Sequence, residues 1–138
     1  MTYKKFKSLL AGMLVGDNIP PTDPEVMLSL VEMALDEIAT QADSMHLLTQ
    51  NRFGAVSRLG VGSYVYRTPE TPMDDDSELD LDHELCFPLA RLTASYISKE
   101  NKAYHHSEAS RLTKMYNSKV RELLESIKLN NTGTGYET

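Results

Sequence analysis

The side chains able to do chemistry are few, and none of them is spaced for catalysis. His105 and His106 are adjacent, and neighbouring side chains on a helix point about 100° apart, so the two cannot readily bind one metal ion. A solvated helix start is expected at this position. His46 and His83 have no cysteine or second histidine at ligand spacing. The Gly-Val-Gly motif at 60–62 is too short for a phosphate-binding loop. We therefore predict no active site, no metal and no cofactor, and expect that the chain is not an enzyme.

The single cysteine, Cys86, lies in the apolar run Leu85-Cys86-Phe87. It has no partner for an internal disulfide, and apolar surroundings raise the pKa of a thiol rather than activate it. We predict a buried small hydrophobe in a reducing cytoplasm. The apolar run that starts at Leu9 stops at Gly16, far short of the roughly 20 residues that span a bilayer, so neither a membrane segment nor a secretory signal is expected.

Residues 70–84, called the acidic run below, carry eight acidic side chains and no Lys or Arg. Such dense like charge opposes compaction unless a cation or a basic partner arrives, which predicts an exposed, extended loop. An EF-hand is rejected, because Leu81 stands where the loop needs glycine and Phe87 where it needs a bidentate glutamate. A looser cation site, or a solvated loop that places Asp82 and Glu84 at a helix N-terminus, remains open. The candidate partner-binding residues here are Asp74, Asp75, Asp76, Glu78 and Asp80.

Helical periodicity dominates the rest of the chain. It predicts four helices, at residues 2–15, 22–42, 82–98 and a last, basic segment of about 25 residues that ends near Lys128. Thr22 is the expected N-cap of the second helix, with Pro24 and Glu25 in its first turn. In that helix an apolar stripe is expected to face the core, with Glu32, Asp36 and Glu37 on the other side. The stripe comprises Val26, Leu30, Met33 and Ala34, joined by Met27, Val31, Leu35 and Ile38.

The last two helices carry further expectations about packing. Pro88 is tolerated only near the first turns of a helix, so the third helix either is kinked there or begins later than Asp82. Leu92 and Leu123 are each central to an apolar stripe, and both are predicted to be buried.

The segment 51–62 contains three glycines, and residues 63–68 alternate polar with aromatic or β-branched side chains. This pattern predicts a loop followed by a short strand or hairpin, with Tyr64 and Tyr66 on one face. The two tyrosines either cover the helical core or make a contact between subunits, so they are candidate partner-binding residues.

The last residues of the chain, 130–138, cannot bury enough apolar area to offset their ordering entropy, which predicts a flexible tail in the isolated protein. Gly133, Gly135 and Tyr136 in this tail are candidates for binding a partner. The fold class expected is mainly α, a bundle of about four helices with a small β insertion. Residues 1–129 form the single domain of this prediction.

The order of these features resembles the head-to-tail connector (adaptor) proteins of tailed bacteriophages, which cap the portal after DNA packaging. The similarity lies in an arrangement that covers roughly residues 22–127, and no single signature carries it. The arrangement comprises the amphipathic helix, Ser-Tyr-Val-Tyr-Arg-Thr-Pro, the acidic run leading into Leu-Asp-Leu-Asp-His-Glu-Leu, the helix around Phe-Pro-Leu-Ala-Arg-Leu, and a basic helix with Lys-Met-Tyr-Asn.

The resemblance implies a structural virion protein. A helical protomer would form a ring of about twelve copies under the portal, bound to the portal protein and to other neck or tail proteins. Genomic DNA would pass through without sequence-specific binding, and no membrane is involved. The chain would be made in the host cytoplasm and end in the virion neck. The segment that grips the portal is not identifiable, and the C-terminal tail is its natural candidate.

Charge can be weighed independently of the resemblance. The net charge of -6 gives no general attraction to phosphate backbones, and an acidic loop in a channel would repel DNA. Residues 91–128 carry eight basic and four acidic side chains and would suit the acidic run of a neighbouring protomer. The same difference in charge would equally suit a contact between the acidic run and residues 91–128 of one chain. The alternative function, from another class, is a small cytoplasmic helical regulator that binds one partner protein.

Overall fold

The computed structural model describes residues 1–42 and 69–137, and within these ranges the protein is mainly α, as predicted. The described ranges contain four α-helices, with a short 3-10 turn at His83–Leu85 before the third: α1 (Tyr3–Met13), α2 (Pro24–Gln41), α3 (Cys86–Ile97) and α4 (Lys102–Glu137). Over the same ranges the β-type pairing is a single antiparallel bridge between Thr2 and Glu78. The predicted loop and strand at 51–68, with Tyr64 and Tyr66, and His46 lie outside the described residues.

Side chains fix where the first two helices begin. The Thr2 hydroxyl accepts the backbone N–H of Lys5 at 3.2 Å and caps α1. Asp23 rather than Thr22 caps α2, because its carboxylate accepts the N–H of Glu25 at 2.9 Å. Pro24 then takes the first helical position, where its missing N–H costs nothing. The predicted cap is therefore displaced by one residue.

Proline also sets the start of α3. The helix begins at Cys86, after the 3-10 turn, and Pro88 is its third residue. The backbone N–H groups of a helix's first turn have no acceptor within the helix, so Pro88 breaks no hydrogen bond there. Of the two alternatives for this helix, the later start is confirmed.

Helix α3 is the centre of the core and packs against the other three helices. Leu92 is 3% exposed, as predicted. The prediction for α2 is confirmed for Met27, Val31, Ala34, Leu35 and Ile38, which are buried, and it is wrong for Val26 and Met33. Val26 and Met33 lie on the outer surface, and Leu30 is half-buried.

The prediction for Leu123 is also wrong, since its side chain is 62% exposed. At 1.5 Å per residue, α3 with 12 residues is about 18 Å long and α4 with 36 residues about 54 Å. Lys119 of α4 already lies beside Glu84, in the turn that precedes α3. Leu123 is one helical turn further on, where α3 no longer covers α4.

Helix α4 continues to Glu137, well past its predicted end near Lys128. Residues 130–137, including Gly133, Gly135 and Tyr136, have helical backbone. Low apolar content lowers the stability of such a segment, but no proline or left-handed glycine ends the helix there. None of the helices in the described part of the chain is long and apolar enough to cross a membrane.

Candidate protein-binding surfaces

The acidic run is tied to α1 by ion pairs. Lys7 donates from Nζ to Oδ1 of Asp75 at 2.6 Å. The N-terminal ammonium group donates to Oε2 of Glu78 at 2.8 Å, and this contact holds the pKa of the Glu78 carboxyl below its usual range. These two of the eight carboxylates therefore pair with cations at the amino-terminal end of the same chain rather than in residues 91–128, where the sequence pattern placed the basic partner.

Backbone hydrogen bonds hold the same two segments together. The N–H of Tyr3 donates to the Ser77 carbonyl at 2.9 Å, and the N–H of Leu79 donates to the Met1 carbonyl at 2.9 Å. The side chain of Leu79 is buried in the core. The expectation of an extended, solvated loop is thus wrong for residues 77–79, because their backbone pairs with the start of α1.

The candidate residues of the acidic run fall into two groups. Asp74, Asp75 and Asp76 form the exposed tip, a turn in which Oδ1 of Asp74 accepts the N–H of Asp76 at 3.0 Å. Glu78 is engaged by the amino terminus, and the Asp80 carboxylate accepts the backbone N–H of Glu70 at 2.9 Å. The tip alone presents several carboxylates to solvent on one turn.

The end of the acidic run contacts α4. Tyr116, a buried residue of α4, donates its hydroxyl to the Asp82 carboxylate, and Lys119 lies 3.3 Å from Oε1 of Glu84. Asp82 and Glu84 lie at a helix N-terminus, as predicted, in the 3-10 turn before α3, but the Asp82 side chain caps no backbone N–H there. These carboxylates instead bind side chains of α4.

Two surfaces that the sequence did not reveal lie on the outer sides of α2 and α4. The α2 outer face consists of Val26, Leu30 and Met33 with the exposed acids Glu25, Glu32 and Asp36. The α4 groove is a depression of about 240 Å³ between the start of α3 and α4, lined by Glu84, Phe87, Leu112, Met115, Tyr116 and Lys119. Exposed apolar side chains on two helices of one small protein favour protein binding over catalysis.

The other candidate residues contribute no described contact to these surfaces. Tyr64 and Tyr66 lie outside the described residues. Gly133, Gly135 and Tyr136 lie on the last turns of α4.

His105 differs from the solvated helix start that its sequence context predicts, since its side chain is buried. Its Nδ1 lies 3.1 Å from Nη1 of Arg91, whose guanidinium stands 5.4 Å from the centre of the Tyr104 ring. Burial and, after it, the charge of Arg91 lower the pKa of His105, while the more distant Asp17 opposes them. The imidazole is therefore held neutral as a hydrogen-bond acceptor.

This arrangement predicts acid sensitivity. Because the folded-state pKa of His105 lies below its ordinary 6.5, the unfolded chain takes up the proton first as the pH falls. The contribution of His105 to stability is complete above about 6.5 and is lost as the pH falls toward the folded-state pKa. We expect His105→Gln to make the free energy of unfolding less dependent on pH between 7 and 5, measured by urea titration. His106→Gln, at an exposed neighbour, is the matched control; an unchanged pH slope in His105→Gln would contradict the assignment.

Asp17 joins the end of α1 to the start of α4. Its carboxylate accepts the Ser98 hydroxyl and the backbone N–H groups of Lys99 at 2.9 Å and Glu100 at 3.4 Å. The hydrogen bond from Ser98, followed by the one from Lys99, lowers the pKa of Asp17 below its ordinary 3.8. The contribution of Asp17 to stability is thus present above its ordinary pKa of 3.8 and is lost as the pH falls through the lower folded-state pKa.

Cys86 is buried, as predicted, and burial raises the pKa of its thiol. Among the described residues no cluster of His, Cys, Asp and Glu has the geometry to hold a metal ion. His83 stands edge-on to the Phe87 ring at 5.7 Å between centroids.

Comparisons of the chain with protein-family models, with curated proteins and with solved structures found no match.

Proposed function

We propose that this protein is a head-to-tail connector of a tailed bacteriophage, a structural protein that joins the capsid to the tail. The observation that carries the proposal is the length of α4, which extends about three times as far as α3 beside it. Met115 and Leu123 on α4 remain more than half exposed. A helix that leaves large apolar side chains uncovered in the monomer is suited to being covered by other proteins.

The proposal extends to partners and place. Copies of the chain assemble into a ring of about twelve under the portal, contact the portal protein and other neck or tail proteins, and reside in the virion neck. The mainly α bundle and the order of sequence features support this assembly. The exposed tip at Asp74, Asp75 and Asp76 supports passage of DNA without adhesion, since carboxylates that line a channel repel phosphates.

The decisive experiment removes the chain from the phage that encodes it. Without the chain we expect DNA-filled heads and free tails that do not join, seen by negative-stain electron microscopy. Purified chain added to that lysate should restore joining. Tails that attach normally in its absence would refute the proposal, and a chain that is absent from purified virions but changes expression of other proteins would favour the regulator.

The acidic tip gives a prediction of its own. We expect Asp74→Asn, Asp75→Asn and Asp76→Asn together to leave the monomer folded. The tip is exposed, and the amide oxygen introduced at position 74 can still accept the N–H of residue 76. The variant removes the Lys7–Asp75 ion pair, but an exposed pair of this kind contributes little to stability. If the tip lines the channel, rings of the variant should retain DNA more strongly at low salt. If it meets a neighbouring protomer, assembly should weaken and lose salt sensitivity. Ring assembly and DNA retention across a salt series measure both, and a variant identical to wild type in each would leave the tip without an electrostatic role.

A further inference from the structure

The outer sides of α2 and α4 carry opposite charge. The α2 outer face holds three acidic residues and no basic one, namely Glu25, Glu32 and Asp36, whereas Glu37 accepts the Tyr96 hydroxyl within the chain. Between residues 109 and 121, α4 holds four basic residues and no acidic one, namely Arg111, Lys114, Lys119 and Arg121. Arg111 pairs with Glu108 and Lys119 with Glu84, so this stretch of about three turns remains net basic.

Both surfaces also expose apolar side chains in a helical pattern. On α2, Val26 is 48% and Met33 56% exposed, and Leu30 lies between them at the same face. These positions are four and three residues apart, which aligns them along one strip. The opposite side of α2, with Val31 and Ile38, is buried in the core. Leu30 also packs partly against the core, so Val26 and Met33 are the residues of the strip that remain available for a contact.

The α4 groove matches that strip in chemistry. Phe87, Leu112 and Met115 supply apolar walls, and Met115 is 57% exposed. Lys119 stands at its rim, and although it lies 3.3 Å from Glu84, its side chain remains mostly exposed. Glu84 lines the same groove and pairs with Lys119, so the rim holds one ion pair. The apolar walls of the groove, on the net basic stretch of α4, fit an apolar helix strip flanked by acids.

We propose that the α2 outer face of one copy docks in the α4 groove of a second copy, with Met33 entering the groove and Glu32 near Lys119. The occupant is a second copy because this one chain carries both complementary surfaces. This inference deepens the proposed ring by naming the contact between its protomers. The two surfaces are on different elements, so the contact is heterologous and each copy can bind two neighbours, as closure of a ring requires.

The test uses two variants, each of which disables one surface. Met33→Asp places a charge on the α2 strip, and Met115→Asp places one in the α4 groove. Both residues are more than half exposed, so both variants should fold. We expect each to weaken self-association at least about 30-fold, as loss of a central apolar contact does, measured by sedimentation velocity. Met73→Asp, 94% exposed and outside both surfaces, is the matched control and should assemble like wild type.

Mixing the two variants separates this contact from a symmetric one. Met33→Asp retains an intact groove and Met115→Asp retains an intact strip, so an equimolar mixture should form a dimer and nothing larger. The expected mass is about twice the 15.5 kDa of one copy. A mixture that stays monomeric, or variants that assemble like wild type, would overturn the proposed contact.

Disulfide crosslinking detects self-association that is too weak for sedimentation velocity. The double variant Met33→Cys with Met115→Cys should give a ladder of disulfide-linked copies under mild oxidation, whereas Met73→Cys with Met115→Cys should not. Absence of the ladder at millimolar protein overturns the contact. The connector function is tested separately. If wild type and both aspartate variants restore head–tail joining equally well, the chain is a connector whose protomers contact one another through other surfaces.

Discussion

Leu92→Ala is expected to lower the free energy of unfolding by about 2–5 kcal/mol, whereas Leu123→Ala should change it by less than about 0.5 kcal/mol. The two substitutions remove the same atoms from the two last helices. Leu92 is 3% exposed in the centre of the core, so its loss leaves a cavity. Leu123 is 62% exposed, so truncation removes little buried area in the monomer.

Urea titrations of both variants at a protein concentration that keeps the chain monomeric give the comparison. The dependence of unfolding free energy on urea should be the same as in wild type. Equal, large losses in both variants would mean that the second half of α4 is covered within one chain, and would remove the main support for a binding role of α4.

The helices themselves were predictable because apolar spacing and capping residues are local. Thr2 and Pro24 lie within three residues of the helix starts that they define, so the local sequence is sufficient to determine where each helix begins. The exposure of Leu123 was not predictable in this way. Periodicity identifies side chains that share a stripe, but whether the stripe is covered depends on the length of α3, which packs beside it.

Helix α2 illustrates a related difficulty. Its sequence is apolar on more than one side, so Val26 and Met33 satisfied the same spacing as the buried Met27 and Val31. Only the position of α3 selects which strip is buried. The second strip then becomes a candidate interface, which sequence reasoning had assigned to the core.

For the acidic run the charge was predictable and its partners were not. Lys7 reaches Asp75 across 68 residues of sequence, and the amino terminus reaches Glu78 across 77. The composition shows that residues 70–84 contain no Lys or Arg, but it does not show that Lys7 of α1 and the amino terminus lie beside them. His105 was missed for the same reason, because Arg91 approaches it from another helix.

The second large effect is expected for Phe6→Ala in α1, at about 3–5 kcal/mol. Phe6 is fully buried, and α1 supports the acidic run through the backbone pairs of Tyr3 with Ser77 and of Leu79 with Met1. Loss of Phe6 should therefore loosen α1 and the acidic run together.

Hydrogen exchange distinguishes this joint opening from a general loss of stability. In Phe6→Ala the amides of Tyr3 and Leu79 should lose protection before those of α3, because they depend directly on the docking of α1. Phe87→Ala, a partly exposed phenylalanine in α3, is the control and should cost less and leave those two amides protected at equal denaturant. If exchange in Phe6→Ala instead rises uniformly over all helices, α1 and the acidic run are no separate unit. The tip at Asp74 would then owe its position to the whole bundle rather than to α1.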